Sequence, residues 1–263
     1  MKRCIAVLTR GYSDLSNYQD IIERNISISS HLTDKTIPIL IFHEGNIEEN
    51  HQTHIYSKTP ELNIQFIDVK IDQKAFRLEK ESVAIDPETY QFPIGYRHMC
   101  CFWIVHFWDF VQEYDILLRI DEDCLVDFAI DPIFDKMECG PIQIITGNWG
   151  NDCYFVTKGL NYFTRTFLSQ YFDLFIEQIP EKNPSGTCSI SGFHLNILRK
   201  NPVLFAYIRE LDDSNKIYSN RWGDGTLWGE VIGYILDKSH GNPCKWDRSI
   251  HYFHKSHGAQ INT

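Results

Sequence analysis

The chain has 263 residues, 43% of them hydrophobic and 23% charged, enough for one large α/β domain or two small ones around a true core. Its formal net charge of −10, with no cluster of Lys and Arg to offset it, excludes nucleic acid and anionic membrane as partners held by bulk charge. No stretch approaches the ~20 apolar residues of a membrane span. The run Cys4-Ile5-Ala6-Val7-Leu8 after Met1-Lys2-Arg3 is too short for the core of a signal peptide. The expectation is therefore a soluble protein, with the cytoplasm favoured as its compartment.

Residues 4–9 read as a short apolar strand. Ile21, Ile22, Ile26 and Ile28, interspersed with polar residues, predict an amphipathic helix over 20–32. Residues 36–42 and 64–69 read as two further strands joined by a loop, which together make the opening of an α/β sheet. A long polar loop is expected over 71–93, then an aromatic-rich helix over 95–111, then a strand over 114–120. Beyond it the pattern predicts a strand over 141–146, helices over 160–179, 202–211 and 227–236, a polar loop over 181–192 and a short last strand over 250–254. There is no internal repeat, low-complexity tract or linker, so a single domain over 1–263 is the simplest organisation. The eight cysteines include no C-x-x-C pair, which argues against a zinc knuckle. The sequon Asn25-Ile26-Ser27 falls in the predicted helix, a poor setting for glycosylation.

The strand over 114–120 ends in Asp121-Glu122-Asp123. Carboxylates two apart at a strand end can hold a hard divalent cation such as Mg²⁺ or Mn²⁺. Ligands of open α/β sheets gather outside the carboxyl ends of strands, where this motif stands. A bare D-x-D is weak on its own, since an acidic turn after a core strand looks the same.

Other segments add to it. Tyr96-Arg97-His98-Met99-Cys100, Leu118-Arg119-Ile120-Asp121-Glu122-Asp123-Cys124, Arg221-Trp222-Gly223-Asp224 and Ile250-His251-Tyr252-Phe253-His254 occur in that order. They resemble the Y-R-x-M-C, W-R-V-E-P-x-V, R-W-G-D and I-G-Y-x-H elements of the fungal α-1,2-mannosyltransferases, glycosyltransferase family 15. Ala6-Val7-Leu8-Thr9-Arg10 is similar to that family's opening strand. The resemblance covers most of the chain and is weak from about 138 to 185.

The resemblance implies a GT-A-type nucleotide-sugar-binding fold, an α/β architecture with a mixed, mostly parallel sheet flanked by helices. It implies a retaining transfer of a hexose, GDP-mannose being the favoured donor, to a glycan or glycoprotein hydroxyl, with Mn²⁺ or Mg²⁺ as cofactor. The family's metal ligands fall on Asp121 and His254, with Asp123 as an extra carboxylate and His251 and His257 as substitutes for the histidine. Thr9, Arg10, Tyr96 and Arg97 join Asp121 and Asp123 on the donor's side. Arg97 suits a diphosphate by its forked guanidinium, although it can equally pair with a surface carboxylate. Asp224 is expected to meet a sugar hydroxyl or to cap a helix, or both.

One departure stands out. The family has N-F-E-I, whose Glu is a candidate nucleophile, and this chain has Gly192-Phe193-His194-Leu195. A histidine there disfavours a covalent double displacement. It leaves front-face substitution, or a role for His194 towards the acceptor. Trp103, Trp108, Trp149 and Trp222 are candidates for a sugar platform as well as for the core. The family's Golgi address does not carry over, for want of an anchor in these residues.

Three other classes compete. A phosphohydrolase or phosphomutase of haloacid dehalogenase type would use Asp121 as nucleophile, but its motif normally opens the domain and Leu125 departs from its pattern. A sugar-nucleotide pyrophosphorylase would want a Gly-rich loop where Leu8-Thr9-Arg10-Gly11-Tyr12-Ser13 stands. A non-catalytic nucleotide-sugar-binding protein would retain affinity without Asp121 and Asp123. No G-x-G-x-x-G supports a dinucleotide enzyme.

Overall fold

The structure is a computed structural model that describes residues 1–77, 82–182, 186, 189–236 and 242–261, without the side chains of His257 and 259–261. Ten strands follow in chain order: β1 (Arg3–Leu8), β2 (Ile39–His43), β3 (Ile64–Asp68), β4 (Ile116–Ile120), β5 (Cys124–Val126), β6 (Ile144–Thr146), β7 (Ile190–His194), β8 (Cys244–Trp246), β9 (Tyr252–His254) and β10 (Ala259–Ile261). Seven form one sheet in the order β3-β2-β1-β4-β7-β6-β8, and β10-β9-β5 form a small second sheet. In the large sheet β7 alone runs against its neighbours β4 and β6, and the remaining ladders are parallel. β1, β2 and β4 are runs of Ile, Leu, Val and Phe with little alternation, as strands covered on both faces require.

The helices are α1 (Gln19–His31), α2 (Glu49–Tyr56), α3 (Ile94–Cys101), α4 (Asp131–Cys139), α5 (Tyr154–Thr157), α6 (Leu160–Phe172), α7 (Leu195–Leu198), α8 (Pro202–Ser214), α9 (Lys216–Asn220) and α10 (Asp224–Glu230). α1 and α4 bury Ile28, Ile133 and Phe134 against one face of the sheet, with Ile116, Leu118 and Ile120 of β4. α3, α8 and α10 bury Cys100, Tyr207 and Trp228 against the other, with Leu117 of β4. Side chains alternate along a strand, so Arg119 shares the face of Leu117 and points towards α3 and α10. Both of those helices run on into a π-helical turn, Phe102–His106 after α3 and Val231–Ile235 after α10.

Several expectations change. Residues 49–56 form a helix, not a loop; α2 buries only Ile55, so its sequence carries little amphipathic signal. The aromatic helix over 95–111 is α-helical only to Cys101. The helix over 160–179 stops at Phe172, where Asp173 takes a left-handed backbone with φ 51°. The loop over 181–192 contains the start of β7; its residues 183–185 and 187–188 lie outside the described part, as do 78–81 of the loop over 71–93. Among the described cysteines none is disulfide-bonded; Cys4, Cys100, Cys101, Cys124 and Cys244 are buried, and Cys139 and Cys153 are exposed. No helix among the described residues is long and apolar enough to cross a membrane.

Candidate active site

β1, β2, β3 and β4 deliver their carboxyl ends to one edge of the sheet, and a cleft opens there. One half, about 550 Å³, is lined by Thr9, Arg10, Tyr12, Glu44, Phe76 and Glu122. The other, about 430 Å³, is lined by Asn148, Asp152, Ser189, Arg221, Asp224 and His254. Tyr96, Met99, Arg119, Asp121 and Asp123 line both, so the acidic motif stands where the halves meet.

Arg119 organises that junction. A guanidinium inside a core strand needs anionic partners, and it has two. Its Nε and Nη2 donate to the two oxygens of Asp121 at 2.6 and 3.1 Å, and Nη1 donates to Asp224 Oδ2. Its guanidinium also lies 4.5 Å from the Trp103 ring centroid. Burial disfavours its charge, but the two carboxylates outweigh burial and hold Arg119 protonated at any accessible pH. Asp224 is buried, the first residue of α10, where a carboxylate meets the positive end of the helix. The cap position belongs to Gly223, so Asp224 is not the cap.

Asp123 meets His254 instead. β5 pairs with β9 so that Cys124 lies opposite His254, and Lys255 N donates to Asp123 O at 2.9 Å. The result is a 3.3 Å approach of His254 Nδ1 to Asp123 Oδ2. One ligand atom each from Asp123, Cys124 and His254 lie within 4.8 Å of one another. The carboxylate suits a hard divalent ion such as Mn²⁺, and the imidazole beside it is a common ligand of transition-metal ions. Both oxygens of Asp121 face Arg119, so the expected order is reversed: Asp123, not Asp121, is the carboxylate beside the histidine. His251 lines neither half of the cleft, and the side chain of His257 lies outside the described part.

On the first half of the cleft Glu122 accepts from Thr9 Oγ1 at 2.7 Å and from the Tyr12 hydroxyl at 3.3 Å, and the Arg10 guanidinium stacks 5.0 Å from the Tyr12 ring. Burial pushes the Glu122 carboxyl up, against the pull of those two bonds. On the second half the Arg221 guanidinium packs against the rings of both Phe92 and Tyr96, at 4.2 and 4.6 Å from their centroids. It donates to Asp152 Oδ2 at 2.9 Å and to the Tyr96 hydroxyl at 2.5 Å. Its Nε makes no hydrogen bond.

Two expected site residues stand elsewhere. Arg97 is fully buried behind the cleft, and its guanidinium donates to the carbonyls of Thr89, Phe92 and Tyr218 and to Thr89 Oγ1. It ties α3 to α9 and to the segment before α3, so the expected phosphate contact is corrected to a structural tether. His194 is corrected as well. The antiparallel register places it opposite Ile116 at the amino end of β4, while Ile190 lies opposite Ile120. Four strand residues at ~3.3 Å each separate those ends, roughly 13 Å, so His194 stands at the opposite end of β4 from the acidic motif. Of the tryptophans, Trp103, Trp108 and Trp222 are core, and Trp149 is exposed.

Arg119, Glu122, Tyr12, Asp152 and Arg221 belong to the cleft without having been singled out. Arg119, Glu122 and Arg221 had a signal, each lying inside a quoted motif. Tyr12 and Asp152 had none.

No protein-family model matches the sequence, and no curated protein matches it. Solved structures do match the fold. Its class is the GT-A glycosyltransferase fold, a sheet of seven mostly parallel strands flanked by helices. The mannosyltransferase Ktr4p from S. cerevisiae matches with a TM-score of 0.78 at 19% identity, over 96% of this chain and 70% of that one. Core-mannan synthase A (CmsA/Ktr4) from Aspergillus fumigatus, solved in a Mn/GDP form, matches with 0.73 at 15% identity, over 96% and 74%. Mouse xyloside xylosyltransferase 1 matches with 0.53 at 12% identity, over 90% and 86%.

Proposed function

We propose that this protein is a metal-dependent, retaining glycosyltransferase that moves a hexose from a nucleotide diphosphate sugar, GDP-mannose favoured, to a hydroxyl of a sugar or glycan. The observation that carries the reading is the junction itself: Arg119, Asp121 and Asp224 locked together in a GT-A fold, with Asp123 and His254 paired beside them. The matched mannosyltransferases include one crystallised with GDP and one with Mn and GDP, which supports this choice of donor and ion.

In this reading the first half of the cleft takes the nucleotide and the second takes the sugar. Asp123 and His254 hold Mn²⁺ or Mg²⁺. When bound, that ion supplies positive charge against the diphosphate leaving group. Arg221, at the wall of the sugar half, adds a second positive charge. Arg119 holds Asp121 and Asp224 in place, so both present oriented acceptors to sugar hydroxyls without reorganising.

Neither carboxylate is free to swing in as a nucleophile, and His194 is remote. Front-face substitution fits that arrangement. The bond from the anomeric carbon to the β-phosphate oxygen breaks, the acceptor oxygen bonds to the same face, and its proton passes to the departing phosphate. The same engagement of Asp121 disfavours its service as a phosphatase nucleophile, which needs a free oxygen.

Calorimetry with GDP-, UDP-, CMP- and dTDP-sugars, with and without Mn²⁺, tests the reading. Binding of GDP-mannose that requires the ion is expected. Binding indifferent to both metal and nucleotide overturns it.

A further inference from the structure

A second group of metal-ligating side chains lies away from the cleft. Cys101, His106 and Asp212 each place one ligand atom within 4.8 Å of the other two, and none of them lines either half of the cleft. Cys101 is the last residue of α3, and His106 closes the π-helical turn that follows it. Asp212 comes from α8, which packs against that turn.

The backbone between the first two makes the meeting possible. In an α-helix, residues five apart lie roughly 140° from each other around the axis, too far to share a ligand. The turn over Phe102–His106 is wider, and Phe107 N donates to Phe102 O, five residues back. Such a turn brings residues five apart towards one face, and π-turns inside helices are frequent at functional sites. Cys101 Sγ and His106 Nδ1 stand 3.8 Å apart. Tetrahedral zinc, with sulfur at about 2.3 Å and nitrogen at about 2.0 Å, holds two such atoms roughly 3.6 Å apart. The pair is thus close to the spacing of a loaded site, and a carboxylate converges on it.

The surroundings fit the same ion. A thiolate and an imidazole favour Zn²⁺ over the hard ions Mg²⁺ and Mn²⁺. One thiolate, one carboxylate and one neutral imidazole around Zn²⁺ sum to zero charge, which a core tolerates better than an isolated ion. Loading moves one proton, from the Cys101 thiol to water, and oxidises nothing. The Tyr218 hydroxyl bonds Cys101 and lies 2.9 Å from His98 Nδ1, and Arg77 Nη1 lies 3.6 Å from Asp212 Oδ2. These are outer partners of the kind that steady metal ligands. Cys101 and His106 are buried, whereas the Asp212 side chain is 17% exposed, so a water completes the site from that side.

We infer that Cys101, His106 and Asp212 form a zinc site that fastens the end of α3 to α8. α3 carries Tyr96 and Met99 to the cleft, and Trp103 in the π-turn lies under the Arg119 guanidinium, so the ion braces the cleft wall from behind. The inference is independent of the glycosyltransferase reading.

Metal analysis of the full chain, purified without chelator, tests it together with Co²⁺ as a coloured substitute for zinc. Both are done in an Asp123→Ala background, which removes the carboxylate of the cleft. About one equivalent of zinc is expected. Refolding from urea and EDTA into Co²⁺ is expected to give the near-ultraviolet band of a cobalt–thiolate bond. Cys101→Ser is expected to lose both the zinc and the band. Cys124→Ser, which removes the thiol beside the cleft, keeps both. Asp212→Asn, which preserves shape, keeps the band and weakens zinc retention at least about tenfold. A chain with neither zinc nor the band overturns the site, as does a band that survives Cys101→Ser or vanishes in Cys124→Ser. Zinc retention unchanged in Asp212→Asn removes the carboxylate from the ligand set and overturns the link to α8.

Discussion

Asp123 and His254 stand 3.3 Å apart because β5 and β9 pair with Cys124 opposite His254. Two distant stretches of chain thereby contribute one carboxylate and one imidazole to the cleft. Asp123→Ala and His254→Ala are each expected to weaken Mn²⁺-dependent GDP binding by at least the roughly 10–100-fold that loss of a mere supporting partner causes. Asp121→Asn is expected to disturb ion binding less. Calorimetric titration of Mn²⁺ in the presence of GDP ranks the three, and a larger loss in Asp121→Asn than in Asp123→Ala reverses the assignment.

Arg119→Met removes the shared partner of two carboxylates. Breaking a buried ion pair from one side typically costs about 3–5 kcal/mol, because the remaining charge has no counter-ion. Urea denaturation of the variant is expected to show a loss of that order. Arg119→Met with Asp224→Asn together recovers part of it, and a double variant no better than the single one argues against the coupling.

Arg97→Ala is expected to lower stability by a few kcal/mol, since buried Thr89, Phe92 and Tyr218 carbonyls lose their donor. The Michaelis constant for the donor, measured at a temperature where the variant remains folded, is expected to stay within about twofold, well under one hydrogen bond's worth. A large rise in that constant with unchanged stability restores the phosphate contact.

His194→Gln is expected to leave kcat unchanged. The ring lies at the amino end of β4, opposite Ile116, and a residue there touches no reacting atom. Loss of transfer in a folded His194→Gln variant contradicts this register.

Asp247 gives stability a pH dependence. Burial raises its carboxyl, but a 2.7 Å bond from Lys136 Nζ and bonds from Ser249 N and Oγ outweigh burial and hold it well below the ordinary value. A carboxylate with a depressed pKa in the folded state contributes stability that is full above its unfolded value, about 3.9, and fades as the pH falls towards the folded value. Asp247→Asn is expected to flatten the stability profile below about pH 4. An unchanged acid limb in denaturation scans of the variant excludes this ion pair as its source.

Much of this arrangement was legible because strands buried on both faces announce themselves as apolar runs. β1, β2 and β4 follow their predicted positions within a few residues, and the acidic motif stands at the strand end where it was expected. β7 was not legible. Residues 181–192 read as a polar loop, yet Gly192 is a strand residue, where a Cβ would lie 2.6 Å from Ile145 Cγ2 and 2.7 Å from Met137 Sδ. The antiparallel direction of β7 was equally hidden, and with it the true place of His194. Arg97 misled for a related reason: a motif fixes which residues neighbour a site in sequence, while the face of α3 decides which of them reach it. Tyr96 turns to the cleft and Arg97 to the carbonyls behind.

The thiols have a practical consequence. Burial pushes the Cys244 thiol up to about 12 and those of Cys4 and Cys100 well above the ordinary range, so none of the three forms the thiolate that alkylating reagents need. Cys139 and Cys153 are the exposed cysteines among the described residues. With Cys139 and Cys188 replaced by serine, a single maleimide dye is expected to attach at Cys153, the neighbour in sequence of Asp152. The native sequence thus supplies a fluorescent reporter position beside Asp152, at the wall of the cleft.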